Sequence, residues 1–423
     1  MNKLEEMIDS IKLPKVVRVE QLFDRTVLDN PETKLMSLLS KQLPKLTEGS
    51  RIAITGGSRG IAEYALLMKT IVSYLKTIKC IPFIVPAMGS HGGATAEGQT
   101  EILEKLGITE ESVGAPIISS MEVVEIARTS DNLPVYIDQK AFQADGIILL
   151  NRVKTHTSIR GDYQSGLLKM MSIGLAKHAG ATITHNQGTL SLGKNMVEIG
   201  KVALEALNIV AGISIIENGY EQLADIYVSR KEEILETEPK ILKRAISMIP
   251  TIKIPDIDCL IVFEQGKDIS GTGMDPAIIG RPINRGPNEG PKVESLGVLR
   301  VTEKSFGNAS GCGMADFISR EFRSAINEEA TCINSLTGMH PEIARIPMTF
   351  ETDKEVFKAC CKASGKSNTE DIKIVIIRNT KSLEEMYISK AAYDSILDKN
   401  DIRVSTNYFE IPFDNLDRLT LFR

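Results

Sequence analysis

Short apolar runs alternate with amphipathic stretches along the first half of the chain. Arg51–Thr55 is a run of strand length that enters Gly56-Gly57-Ser58-Arg59-Gly60, and a helical stretch follows to about Lys76. Ile81–Pro86 and Gly146–Leu150 are further runs of buried-strand type, the second ending in Asn151. Met196, Ile199, Val202, Ala203, Ala206 and Leu207 recur at three-and-four spacing, which marks one apolar helix face. Asn30-Pro31 is a cap and first-turn signal that predicts a helix to about Leu46. Alternation of this kind predicts a mostly parallel sheet covered by helices.

The pattern breaks between Ile249-Pro250 and Ile254-Pro255, where both prolines disfavour a continuing helix and a new strand, Cys259–Phe263, begins. Six glycines between Gly266 and Gly290 predict a long loop, and Ile372–Ile377 reads as a strand of a second α/β domain. The expected class is therefore α/β: two α/β domains, residues 1–252 and 253–423, with mostly parallel sheets and an active-site cleft between them.

Composition narrows the function. A chain of 423 residues, 42% hydrophobic and 25% charged, is of ordinary globular make-up. A net charge of −5 gives no basic surface for nucleic acid. Met1–Lys15 carries Glu5, Glu6 and Asp9 among its apolar positions, unlike a signal peptide, and no apolar run reaches membrane-spanning length. The six cysteines form no CxxC pair, which argues against a thiolate zinc site or a disulfide framework and for a reducing cytoplasm. Cys80 and Cys259 read as buried; Cys312, between glycines, reads as exposed.

Candidate chemistry gathers around histidine. The chain has only 5 His, and His91, His156 and His185 fall within a hundred residues of one another. His91 lies in Gly89-Ser90-His91-Gly92-Gly93, and His156 follows Lys154-Thr155. Lys169 sits in the apolar run Leu167-Leu168-Lys169-Met170-Met171, where an unpaired ammonium is costly. Lys154, Lys177 and Arg152 read as solvated cations or phosphate contacts, and Arg281 is similarly ambiguous. The Gly56–Gly60 turn between strand and helix suits an anion, because free amides point at it. With Ser214 and Tyr227-x-x-x-Lys231 it also raises an alternative, an NAD(P)-dependent short-chain oxidoreductase. Against that, the fingerprint's last glycine is Ala62, and Ile226-Tyr227-Val228 reads as a strand, which separates Tyr from Lys. A non-catalytic binding protein is the third possibility.

The order of motifs from Pro86–Gly93 through Asn151–His185 to Glu264–Gly273 resembles the nickel-pincer lactate racemase family. The resemblance implies an isomerase that racemises or epimerises a small 2-hydroxy acid by reversible hydride transfer. It implies nickel and a pyridinium thioamide/thiocarboxylate mononucleotide tethered to Lys169, with His185 as the metal ligand. His91 and His156 correspond to the acid–base pair. Arg59, with Gly57 and Ser58, corresponds to the cofactor contacts; Arg59, Lys267 and Glu264 correspond to those of the substrate. Cofactor-maturation enzymes are implied partners. Residues 1–252 would tether the cofactor and residues 253–423 would close the cleft. Gly56 and Gly92 stand where the family's prototype has an aspartate and an arginine, so the resemblance implies a different 2-hydroxy acid or a sugar acid.

Elementary chemistry agrees with such a division of labour. The hydrogen on C2 of an ionised hydroxy acid is a poor acid, and leaving as hydride avoids a dianion. The hard step then belongs to a cofactor while protein groups orient and move protons. Histidine suits the proton because it titrates near neutrality.

Overall fold

The structure, a computed structural model, describes residues 3–156, 159–185, 189–283, 290–338 and 340–422, apart from the side chains of residues 4, 5, 185, 189 and 190. The chain divides into two compact units, Asp24–Ile249 and the combination of Met1–Phe23 with Pro250–Arg423. Both are α/β with sheets largely parallel.

The first strand, β1 (Val16–Gln21), differs from the expected 1–252 grouping. It pairs antiparallel with the strand Ser382–Ser389, Val17 facing Ile388. Its period-two pattern places Val17 and Val19 in the core of the C-terminal sheet beside Val262 and Met386.

In the unit Asp24–Ile249 the strands are β2 (Arg51–Gly56), β3 (Ile81–Pro86), the hairpin β4 (Val123–Arg128) and β5 (Pro134–Asp138), β6 (Gly146–Arg152), β7 (Ile209–Glu217) and β8 (Leu223–Ser229). The main sheet runs β3-β2-β6-β7-β8, parallel except for β8. Ile52 and Ile54 of β2 face one core with Leu67 and Ile71 of the helix Tyr64–Thr77. Ala53 between them faces a second core with Leu149, Leu167 and Ile199. The sheet is thus buried on both faces, which explains its unbroken apolar runs. The helix expected to reach Leu46 ends at Gln42; Leu43 is extended because Pro44 follows it.

From β2 the chain moves outward to β3, then returns to lay β6 on the other side of β2. Loops leaving the carboxyl ends of β2 and β6 therefore diverge, which opens the crevice where ligands of such sheets bind.

The second unit carries β9 (Asp256–Gln265), β10 (Lys292–Val301), β11 (Phe317–Ser319), β12 (Met348–Phe350), β13 (Ile374–Asn379), β14 (Ser382–Ser389) and β15 (Ile402–Val404). Its order is β12-β11-β10-β9-β13-β14-β1-β15, parallel from β12 to β13 and antiparallel thereafter. Cys312 is fully buried, against the expectation of exposure, and burial pushes its thiol up to about 11. No helix among the described residues is long and apolar enough to cross a membrane.

Candidate active site

The loops after β2, β3 and β6 supply the site. After β2, Gly57 is buried and its amide donates to the Tyr64 hydroxyl at 2.6 Å, which pins the glycine turn to the first residue of the following helix. Burial pushes the Tyr64 phenol up to about 12, so it stays neutral. Ser58 comes next, and its Oγ lies 2.5 Å from Nδ1 of His91 on the loop after β3. That contact leaves Nε2 of His91 as the nitrogen for other chemistry. Loss of hydration first, then the charges of Arg59 and Lys169, hold His91 below the ordinary histidine value. Its imidazole is neutral at pH 7 and ready to accept a proton.

Lys169 ends the short helix Leu167–Lys169, which runs into a π-turn over Met170–Gly174. The lysine is half-buried. Burial, then the neighbouring charges of Lys154 and Arg59, lower its amine to about 8. Such an amine has a large neutral fraction near pH 8 and is a competent nucleophile. The surrounding cations also favour an anionic group nearby.

The start of the Lys169 helix is fixed by a residue the sequence did not single out. Glu238, buried in the helix Ile234–Met248, accepts from the amides of Leu167 at 3.0 Å and Leu168 at 3.2 Å. Burial raises its carboxyl to about 7, against the lowering effect of those two bonds. Asn151, at the end of β6, donates from Nδ2 to the Gly166 carbonyl at 2.7 Å. Gly166 itself is pressed against the carboxylate: an added Cβ would lie 2.2 Å from Glu238 Oε1.

His156 follows β6. Its amide donates to Gln164 Oε1 at 2.8 Å, and its Nδ1 accepts from the Ile159 amide at 3.2 Å. An acceptor at Nδ1 sets the neutral ring to carry its proton on Nε2. His185 closes the helix Lys177–His185, but its side chain lies outside the described residues. Among the described residues no group of three or more His, Cys, Asp or Glu is placed to hold a metal.

The family model described as a domain of unknown function, DUF362, matches residues 57–232. No curated protein matches. Among solved structures, the lactate racemase apoprotein from Thermoanaerobacterium thermosaccharolyticum is similar at 13% identity and a TM-score of 0.40, over 86% of this chain and 89% of that one.

The structure brings Ser58 against His91, and groups Arg59, Lys154, Lys169 and His91 closely enough for their charges to interact. Glu264 and Lys267 belong to the other unit. There Glu264 accepts from Asn379 Nδ2 at 2.9 Å and from Arg378, while Lys267 Nζ reaches Asn334 Oδ1 at 2.7 Å. Arg281 pairs with Asp316 at 2.7 Å. Arg152 pairs with Glu217, whose other oxygen accepts from the Ala62 amide.

Lys177 corrects the reading of a solvated cation: it is fully buried and ion-paired with Asp138 at 3.1 Å. The oxidoreductase pair fails in the way its strand pattern foretold. Tyr227 stands on β8, and Lys231 Nζ caps the carbonyls of Glu205 and Leu207 at the end of the helix Thr189–Ala206.

Proposed function

We propose that the chain is an isomerase that racemises or epimerises a small 2-hydroxy acid, with Lys169 as the anchoring point of a pyridinium-type nickel cofactor. The observation that carries this reading is the Lys169 amine. It is half-buried, lowered to about 8, and shares its surroundings with Arg59, Lys154 and His91 at the crevice between β2 and β6.

The residues fit the group on three counts. A lysine with a depleted charge forms a thioamide more readily than an ordinary one. The cations Arg59 and Lys154 favour a phosphate or thiocarboxylate nearby, and the Gly57–Ser58 turn faces the same crevice. When bound, the group supplies a hydride-accepting ring carbon beside nickel, a metal suited to sulfur and imidazole donors. His185 would contribute the imidazole.

The chain's own work is then orientation and proton transfer. Arg59 binds the substrate carboxylate as a charge-assisted pair. Nε2 of His91 accepts the hydroxyl proton of one enantiomer, and Ser58 holds the ring through Nδ1. His156, its ring oriented by the Ile159 amide, presents its Nε2–H as donor to the opposite hydroxyl position. Cytoplasmic maturation enzymes would load Lys169.

The experiment is isotopic. Matured enzyme is given a 2-hydroxy acid carrying deuterium on C2, in ordinary water. The proposal expects both enantiomers to appear with the deuterium still on carbon. Loss of deuterium at the rate of racemisation would mean proton abstraction and would overturn it.

A further inference from the structure

A second polar cluster lies beneath the His91 loop and has no part in the chemistry above. Asp138, Lys177 and Gln99 are all fully buried. Lys177 Nζ is paired with Asp138 Oδ2 at 3.1 Å and donates to Gln99 Oε1 at 3.0 Å and to the Pro86 carbonyl at 2.5 Å. Gln99 Nε2 in turn donates to the carbonyls of Gly89 at 2.9 Å and His91 at 3.3 Å. One amide side chain thus converts the lysine's donors into donors for the loop, a task that needs an acceptor and two hydrogens in one group.

The other end of the cluster belongs to the Lys169 element. Lys177 follows the π-turn after Lys169 and takes a left-handed φ of 53°, uncommon for a residue with a side chain. The neighbouring backbone is interlocked: the Gly89 amide donates to the Gly174 carbonyl at 3.1 Å, and the Asp138 amide to the Leu175 carbonyl at 2.7 Å. Burying a lysine and an aspartate together is seldom a gain in stability over apolar residues of similar size. The arrangement is better explained by what it orients.

We infer that Asp138, Lys177 and Gln99 are positioning residues: together they clamp the Pro86–His91 loop to the element carrying Lys169, and so set where the His91 ring stands. The inference rests on the reading of His91 as an acid–base group, but its test needs neither substrate nor cofactor. The imidazole of His91 is titrated by NMR in the full-length chain, its resonances assigned with His91→Gln. Two variants are compared with wild type. Gln99→Met removes the relay, and Asp138→Asn combined with Lys177→Met removes both charges with little change in volume.

In each variant the His91 pKa should rise by about half a unit or more toward the ordinary histidine value as its ring gains water. Its Nδ1 shift should also lose the signature of the Ser58 contact. A folded variant with an unchanged His91 titration overturns the inference, whatever its melting temperature, because a purely structural cluster would lower stability and leave the ring alone. In wild type the Lys177 ammonium should give slowly exchanging proton signals. Fast exchange would overturn the clamp even if neither variant folds. A moved His91 in an enzyme that fails the isotope experiment would leave the clamp standing and remove only the proposed reaction.

Discussion

Two titratable residues, the half-buried Lys169 and the buried Glu238, make opposite demands on pH. The Lys169 amine is lowered to about 8 from an ordinary 10.5, so the unfolded chain binds more protons than the folded one between those values. Its contribution to stability is present above about 10.5 and lost as pH falls through 8. Lys169→Met should therefore raise the melting temperature of the cofactor-free chain at pH 7, with the difference shrinking toward pH 10.5. Glu238 is raised to about 7 from 4.5, so its contribution is present below 4.5 and lost as pH rises through 7. Glu238→Gln keeps an acceptor for the amides of Leu167 and Leu168 and should flatten that decline in a urea titration at pH 5 and pH 8. Glu238→Ala leaves both amides without a partner and should cost about 1–3 kcal/mol at either pH. A Gln variant no more stable than wild type at pH 8 would contradict this. Lys169 was legible in sequence because an amine in an apolar run is anomalous. Glu238 was not, because it reaches the site from a helix 70 residues away with a charged-looking face of its own.

The strands and their loops carry the site through close backbone approach. Gly174, at the end of the π-turn, would place a Cβ 2.7 Å from the Ala87 carbonyl and 2.9 Å from Met170 Sδ. Gly174→Ala should therefore destabilise the chain by about 1–3 kcal/mol. It should also displace the His91 loop, seen as a change in His91 ring shifts; a variant as stable as wild type would contradict the packing. Strands β2, β3 and β6 were readable as buried runs because both faces of the sheet are covered. The polar network of Asp138, Lys177 and Gln99 was not readable, although Gln99 occupies the buried stripe of its helix beside Leu103. A polar residue in an apolar stripe is a signal; which partners it meets depends on a lysine and an aspartate brought in by the fold. Cys312 misled in the opposite direction, since glycines around it pack tightly instead of exposing it: a Cβ on Gly311 would lie 1.8 Å from the Thr272 carbonyl.

At the scale of the whole molecule, the first strand crosses the apparent order of the domains. Residues 16–21 sit between β14 and β15 in the sheet of the C-terminal unit, bonded on both sides. A fragment of residues 250–423 should therefore unfold without cooperativity, and a peptide of residues 1–23 should restore a sharp transition by supplying the missing strand. The fragment of residues 24–249, with two cores of its own, should unfold cooperatively by itself. A stable, cooperative 250–423 fragment would contradict the pairing. The proline-rich break near residue 250 was visible in the sequence, but nothing local shows that a strand 230 residues earlier returns to it. The proposed function turns on one residue of the unit 24–249, and its most direct test is the intact mass of the chain after expression with cofactor-maturation enzymes. The account predicts an added mass that peptide mapping places on Lys169 and that Lys169→Arg abolishes. An unmodified Lys169 in protein that racemises its substrate, or an adduct on another residue, would contradict it.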